Sequence, residues 1–153
     1  MKKSTKLAMA FGAMMMFGSA AFAQKTCDLA LTVTGTPMTV NYHDTCHISV
    51  KITNNGTAAL TTTDTLYYGP IGSSAIFVLI PTANIPSGGS QTFPNELYLR
   101  HNFDTLTADR VFDLCFKIYP QSAITSGGAP VTVTYTDPVA ANDSTCISVT
   151  FKK

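Results

Sequence analysis

Cys46, Ile48, Val50 and Ile52 alternate with His47, Ser49, Lys51 and Thr53, and the run stops at Asn54-Asn55-Gly56. A period of two residues places one set on one face of an extended strand and the other set on the opposite face. Asn and Gly tolerate the positive φ of a tight turn, so the stop is a strong turn signal. Comparable extended runs cover 28–34, 37–42, 60–68, 75–80, 91–99, 111–119, 131–136 and 145–151. Turn-forming clusters separate them: Gly69-Pro70, Pro86-Ser87-Gly88-Gly89, Ser126-Gly127-Gly128 and Asp137-Pro138. No segment keeps a helical period over three turns, and only a short helical turn is expected near Asp104 to Asp109.

Composition points the same way. Thr and other β-branched residues are plentiful, whereas Lys and Glu, the usual fillers of helix surfaces, are scarce; Glu96 is the single Glu. Strands with one apolar face each must bury those faces against a second sheet. The sequence therefore predicts an all-β fold, an immunoglobulin-like Greek-key β-sandwich of 7–9 antiparallel strands, with a closed barrel as the alternative.

The first residues have a different purpose. Lys2, Lys3 and Lys6 precede an uncharged apolar stretch from Leu7 to Phe17, and the segment closes on Ala21-Phe22-Ala23. This is the layout of a cleaved signal peptide, residues 1–23, and the apolar run is shorter than the roughly 20 residues a bilayer span needs. The mature protein is then one domain, residues 24–153, with no membrane span, exported to the periplasm, cell surface or outside. Three of the ten basic residues leave with the signal, so seven basic face nine acidic residues, a net charge of −2. That field is too weak for nucleic acid, and no basic run is present.

Four cysteines remain, Cys27, Cys46, Cys115 and Cys146, and an even count in an exported domain predicts two disulfides. Strand parity narrows the pairing. Cys27 shares a face with Leu29, Leu31 and Val33, and Cys46 with Ile48, Val50 and Ile52, so both point inward. Phe112, Leu114, Phe116 and Ile118 put Cys115 on the opposite, polar face, and Ile147, Val149 and Phe151 do the same for Cys146. Inward pairs with inward, which predicts Cys27–Cys46 and Cys115–Cys146.

No catalytic, cofactor-binding or metal site is expected. His43 and His47 form the densest ligand-type cluster with Asp44, but on an extended strand they lie about 13 Å apart, too far for one metal; only a turn at Asp44-Thr45 would bring them together. A Gly-x-Ser-x-Gly elbow is absent, and disulfide-bonded cysteines are not nucleophiles. The Gly-rich stretches lack the lysine and helix of a phosphate loop. The Asp-rich loops, 104–109 and 137–143, lack EF-hand spacing.

The stretches Ile48 to Gly56, Ile85 to Phe93, Phe112 to Ile118, and Asp137-Pro138 through Asn142-Asp143 into a last strand resemble the CARDB family, the bacterial cell-adhesion-related domains. The resemblance implies an immunoglobulin-like fold and a role in surface display, adhesion or spacing. Two functions follow as expectations: a non-enzymatic binding or adhesion module for a protein or glycan ligand, and a structural subunit assembling by strand addition, as pilins do. Asp64-Thr65-Leu66, Asp104-Thr105-Leu106 and Asp143-Ser144-Thr145 resemble the O-glycosylation acceptor of exported Bacteroidota proteins, making Thr65, Thr105 and Ser144 candidate acceptors.

Overall fold

The protein is described by a computed structural model covering residues 24–101, 107–126 and 128–153. The expected signal segment 1–23, Thr105 and half of the expected helical turn near 104–109 lie outside these described residues. In chain order the strands are β1 (Lys25–Thr26), β2 (Leu29–Thr36), β3 (Thr39–Asn41), β4 (Thr45–Asn54), β5 (Leu66–Pro70) and β6 (Phe77–Leu79). They continue as β7 (Ser90–Arg100), β8 (Arg110–Tyr119), β9 (Thr125–Ser126), β10 (Ala129–Pro130), β11 (Tyr135–Thr136) and β12 (Ser144–Lys152).

Two sheets carry the fold. One has the order β2-β4-β7, and the other β3-β12-β8-β5-β6. The alternation read from the sequence sets what lies between them. Leu29, Leu31 and Val33 on β2, Ile48, Val50 and Ile52 on β4, Phe116 and Ile118 on β8, and Ile147, Val149 and Phe151 on β12 are all buried. Each aliphatic side chain fully removed from water here contributes about 1.5–3 kcal/mol. This is the two-layer, immunoglobulin-like arrangement that the periodicity predicts.

Three features differ from the expectation. First, not every pairing is antiparallel: β3 runs parallel to β12, and β1 parallel to β11. The chain leaves the first sheet after β2, adds β3 to the edge of the second, and returns as β4. Second, the expected strand over 60–68 begins only at Leu66. Asp64 accepts from the Thr61 backbone N–H at 2.7 Å while its own N–H donates to the Thr61 carbonyl at 3.0 Å, closing a turn where the pattern suggested extension. Third, the run over 131–136 is a strand only at Tyr135–Thr136. The buried Gln121 side chain takes the Thr134 N–H at 2.6 Å, in place of a ladder partner.

Asn54 ties together two turns that the sequence marks separately. Its side chain is fully buried and donates to the carbonyls of Ala58 (2.8 Å) and Ile85 (3.1 Å), while its amide oxygen accepts from Gly56 N–H (3.1 Å). Its backbone bonds Gly88 and Gly89 at 2.7 and 2.9 Å. Gly56 is required here for closeness rather than for positive φ: a Cβ at this position would lie 2.4 Å from the Asp28 backbone nitrogen.

Cys115 and Cys146 are bonded, and they are direct register partners with Cα atoms 4.0 Å apart. Cys27 and Cys46 are free and buried, which corrects the expected Cys27–Cys46 bridge. Both point inward as parity requires. The β2–β4 register, however, sets Leu29 against Asn54 and Thr36 against His47. The two thiols therefore stand at opposite ends of the ladder, roughly 30 Å apart at the usual strand rise.

Candidate binding surface

The second sheet turns one face to the core and the other to solvent, and register identifies the outer set. Val78 on β6 stands opposite Tyr67 on β5, which stands opposite Tyr119 on β8. Around this row lie four of the exposed large apolar residues: Ile71 (50 % exposed), Ile76 (44 %), Val78 (51 %) and Ile80 (54 %). Exposed apolar residues gathered in one place, rather than scattered singly, make a candidate interaction surface. Lys117 arches over the Tyr119 ring, its Nζ 4.6 Å from the centroid, and gives the patch a cationic border.

Beside the patch a cavity of about 410 Å³ opens between β8 and the segment leading into β12. Ile71, Lys117, Tyr119, Tyr135, Asp137 and Asp143 line it. Asp137 accepts from the backbone N–H groups of Leu29 (2.7 Å) and Val139 (3.0 Å). Burial, then the charge of Asp137 and a hydrogen bond to it, pushes the Asp143 carboxyl up to about 7. Asp28, which accepts from Asn142 at 2.6 Å, adds to this repulsion. Half-buried beside a second acid, the Asp143 carboxyl therefore keeps its proton to higher pH than a free one would.

A second acid takes the opposite solution. Asp64 is buried, pairs with Lys25, and accepts from Thr61 and from the Thr134 hydroxyl at 2.8 Å. Burial alone would raise this carboxyl, but the hydrogen bonds from Lys25, Thr61 and Thr134 outweigh it and hold it below the usual carboxylate range. Burial also pushes both free thiols up: Cys27 against the opposing charge of Lys25, and Cys46 against a backbone hydrogen bond.

The residues singled out from sequence fall in different places. His43 has a left-handed backbone (φ 71°) and stacks on Tyr42, whereas His47 meets the Tyr98 ring edge-on at 5.0 Å. Among the described residues no group of three or more His, Cys, Asp or Glu side chains is placed to hold a metal ion. Thr65 is half-buried between buried Asp64 and Leu66, and its carbonyl accepts from Gln121 at 2.8 Å. Ser144 is exposed at the start of β12. His101, which no sequence pattern distinguishes, is buried against the rings of Tyr42, Phe112 and Phe151.

Two stacked sheets with a parallel strand added at one edge define an immunoglobulin-like sandwich domain. Among solved structures the chain is similar to the CARDB domain of a Pyrococcus furiosus protein. The solution NMR structure of that domain gives a TM-score of 0.52 at 11 % identity, covering 84 % of this chain and 97 % of that one. The crystal structure of the same domain, in complex with di-metal ions, gives 0.50 at 10 % identity, covering 82 % and 89 %. The likeness is one of fold, and it agrees with the resemblance drawn from the turn and strand motifs. No protein-family model matches the chain, and no curated protein does. Among the described residues no helix is long and apolar enough to cross a membrane.

Proposed function

We propose that this protein is an exported, non-enzymatic binding module of the adhesion type, which engages a protein or glycan through the outer face around β5 and β6. The observation that carries this reading is the set Ile71, Ile76, Val78 and Ile80, each between 44 and 54 % exposed on one side of the sheet. An apolar stripe costs solubility unless something covers it in use. The CARDB-like fold supports a display or adhesion role, and the signal-like segment 1–23 and the Cys115–Cys146 disulfide are compatible with export.

The test is binding of fluorescently labelled mature domain, from Gln24 onward, to cells of its source. Saturable binding that falls about tenfold in Val78→Lys supports the reading, since a buried apolar contact at an interface centre has that worth. Binding that is absent, or indifferent to Val78→Lys, contradicts it.

A further inference from the structure

We propose that the β6 edge pairs with the β6 edge of a second copy of this chain, joining the two five-stranded sheets across a two-fold axis. The inference rests on the reading that this face is the binding surface, and it names the partner. Among the described residues β6 has β5 as its one strand neighbour, so its other side presents backbone N–H and C=O groups that no ladder uses. A row of alternating donors and acceptors is met in full by another strand.

The edges of these two sheets differ in how they are protected. The β7 edge carries Pro94, a left-handed Asn95, Glu96 and a register break opposite Ile48 and Val50. The exposed face of β2 bears Thr32, Thr34 and Thr36 rather than apolar side chains. β3 is as short as β6, but it ends on a polar Asn41 and is followed within the next few residues by Asp44. By contrast, Ala75 to Ile80 holds no charge and no proline, the devices that normally keep an edge from pairing.

Charge and symmetry favour a second copy over another occupant. An antiparallel pair centred on Val78 sets Val78 against Val78 and Ile76 against Ile80, so the exposed stripe of one copy meets that of the other. With no charge on either strand there is no like-charge repulsion to overcome, and a charged partner strand would find no counter-charge. The pairing is closed and isologous, the commonest form of homodimer. The short edge makes each contact weak, and many such contacts between surfaces bearing the protein add up through multivalency.

The experiment uses the mature chain with Val78→Cys, oxidised under mild conditions. Residues directly opposite in an antiparallel pair have Cα atoms about 4.5–5.5 Å apart, within disulfide reach. The proposal expects a rapidly formed cross-linked dimer. The native chain should sediment in reversible monomer–dimer equilibrium, and Val78→Lys should sediment as a folded monomer. Tyr98→Cys, at an exposed site on the other sheet, is the control and should cross-link slowly. Cys27 and Cys46 are buried and do not compete. A native monomer up to about 1 mM, or cross-linking of the Val78→Cys variant no faster than that of the Tyr98→Cys variant, overturns the proposal. In that case binding to cells that still depends on Val78 leaves the binding face standing with another partner; loss of that dependence removes both.

Discussion

Cys115 and Cys146 face each other across β8 and β12 on the solvent side of the sheet, bonded at a Cα separation of 4.0 Å, while the other two thiols stay buried and apart. Alkylation of native, non-reduced protein should therefore label no cysteine, and alkylation after unfolding without reductant should label Cys27 and Cys46 alone. Peptide mapping checks this directly. The bond closes a loop of 31 residues, so Cys115→Ser with Cys146→Ser should cost about 3–4 kcal/mol in denaturant unfolding.

The Asn54 clamp predicts a large effect at one residue and little at its neighbour. Asn54→Ala leaves the buried carbonyl of Ile85 without its side-chain donor and frees both turns, and should cost about 2–3 kcal/mol. Asn55 is exposed, and Asn55→Ala should change stability by less than about 0.5 kcal/mol. Gly56→Ala forces a Cβ against the Asp28 backbone and should cost about 1–3 kcal/mol. Urea midpoints of the three variants decide the ranking.

Buried Asp64 and half-buried Asp143 predict opposite pH dependences. Asp143 has a folded pKa raised from 3.8 to about 7, so the folded state holds its proton where the unfolded state releases it. Its contribution is fully present below about pH 4, is lost as pH rises toward 7, and stays lost above. Asp143→Asn should raise the melting temperature at pH 8, with the gain vanishing near pH 4. Asp64 is depressed, so its contribution is present above its unfolded value of 3.8 and is lost as pH falls through its lower folded value. Thermal melts from pH 3 to pH 8 separate the two.

Removing Asp64 altogether leaves Lys25 with only the Ala59 carbonyl, leaves the Thr134 hydroxyl with only a long contact to Gln121, and opens the 61–64 turn. Asp64→Ala should cost about 3–5 kcal/mol in denaturant unfolding. Lys25→Ala should also lose stability, because it leaves the buried carboxylate short of its cation, but Thr61 and Thr134 still donate to Asp64 and the loss should be smaller.

Much of this architecture is legible in the sequence because a β-sandwich writes its core as alternation. Leu29 to Val33, Cys46 to Ile52 and Ile147 to Phe151 declare their inner faces by period alone, and the parity that puts Cys115 and Cys146 outside follows from the same pattern. Parity specifies a face and not a register. Cys27 and Cys46 are both inward yet far apart, because β3 crosses to the other sheet and β2 meets β4 without a tight hairpin. Polar hubs are illegible for a different reason. Asp64 and Gln121 look like surface residues until distant groups of Thr61, Thr65 and Thr134 converge on them. The exposure of Val78 follows from its place on the uncovered face of an edge strand; which face is covered and which strand is the edge are properties of sheet order that leave no local trace in Ala75 to Ile80.

The binding face is the central claim, and one comparison tests it most directly. Val78 and Val111 are both exposed valines on the outer side of the same sheet, 51 % and 61 %, at opposite ends. Saturation binding of labelled mature domain to source cells should fall about tenfold in Val78→Lys and remain near native in Val111→Lys. Equal losses in the two variants, or a loss in Val111→Lys alone, would contradict the assignment of this surface.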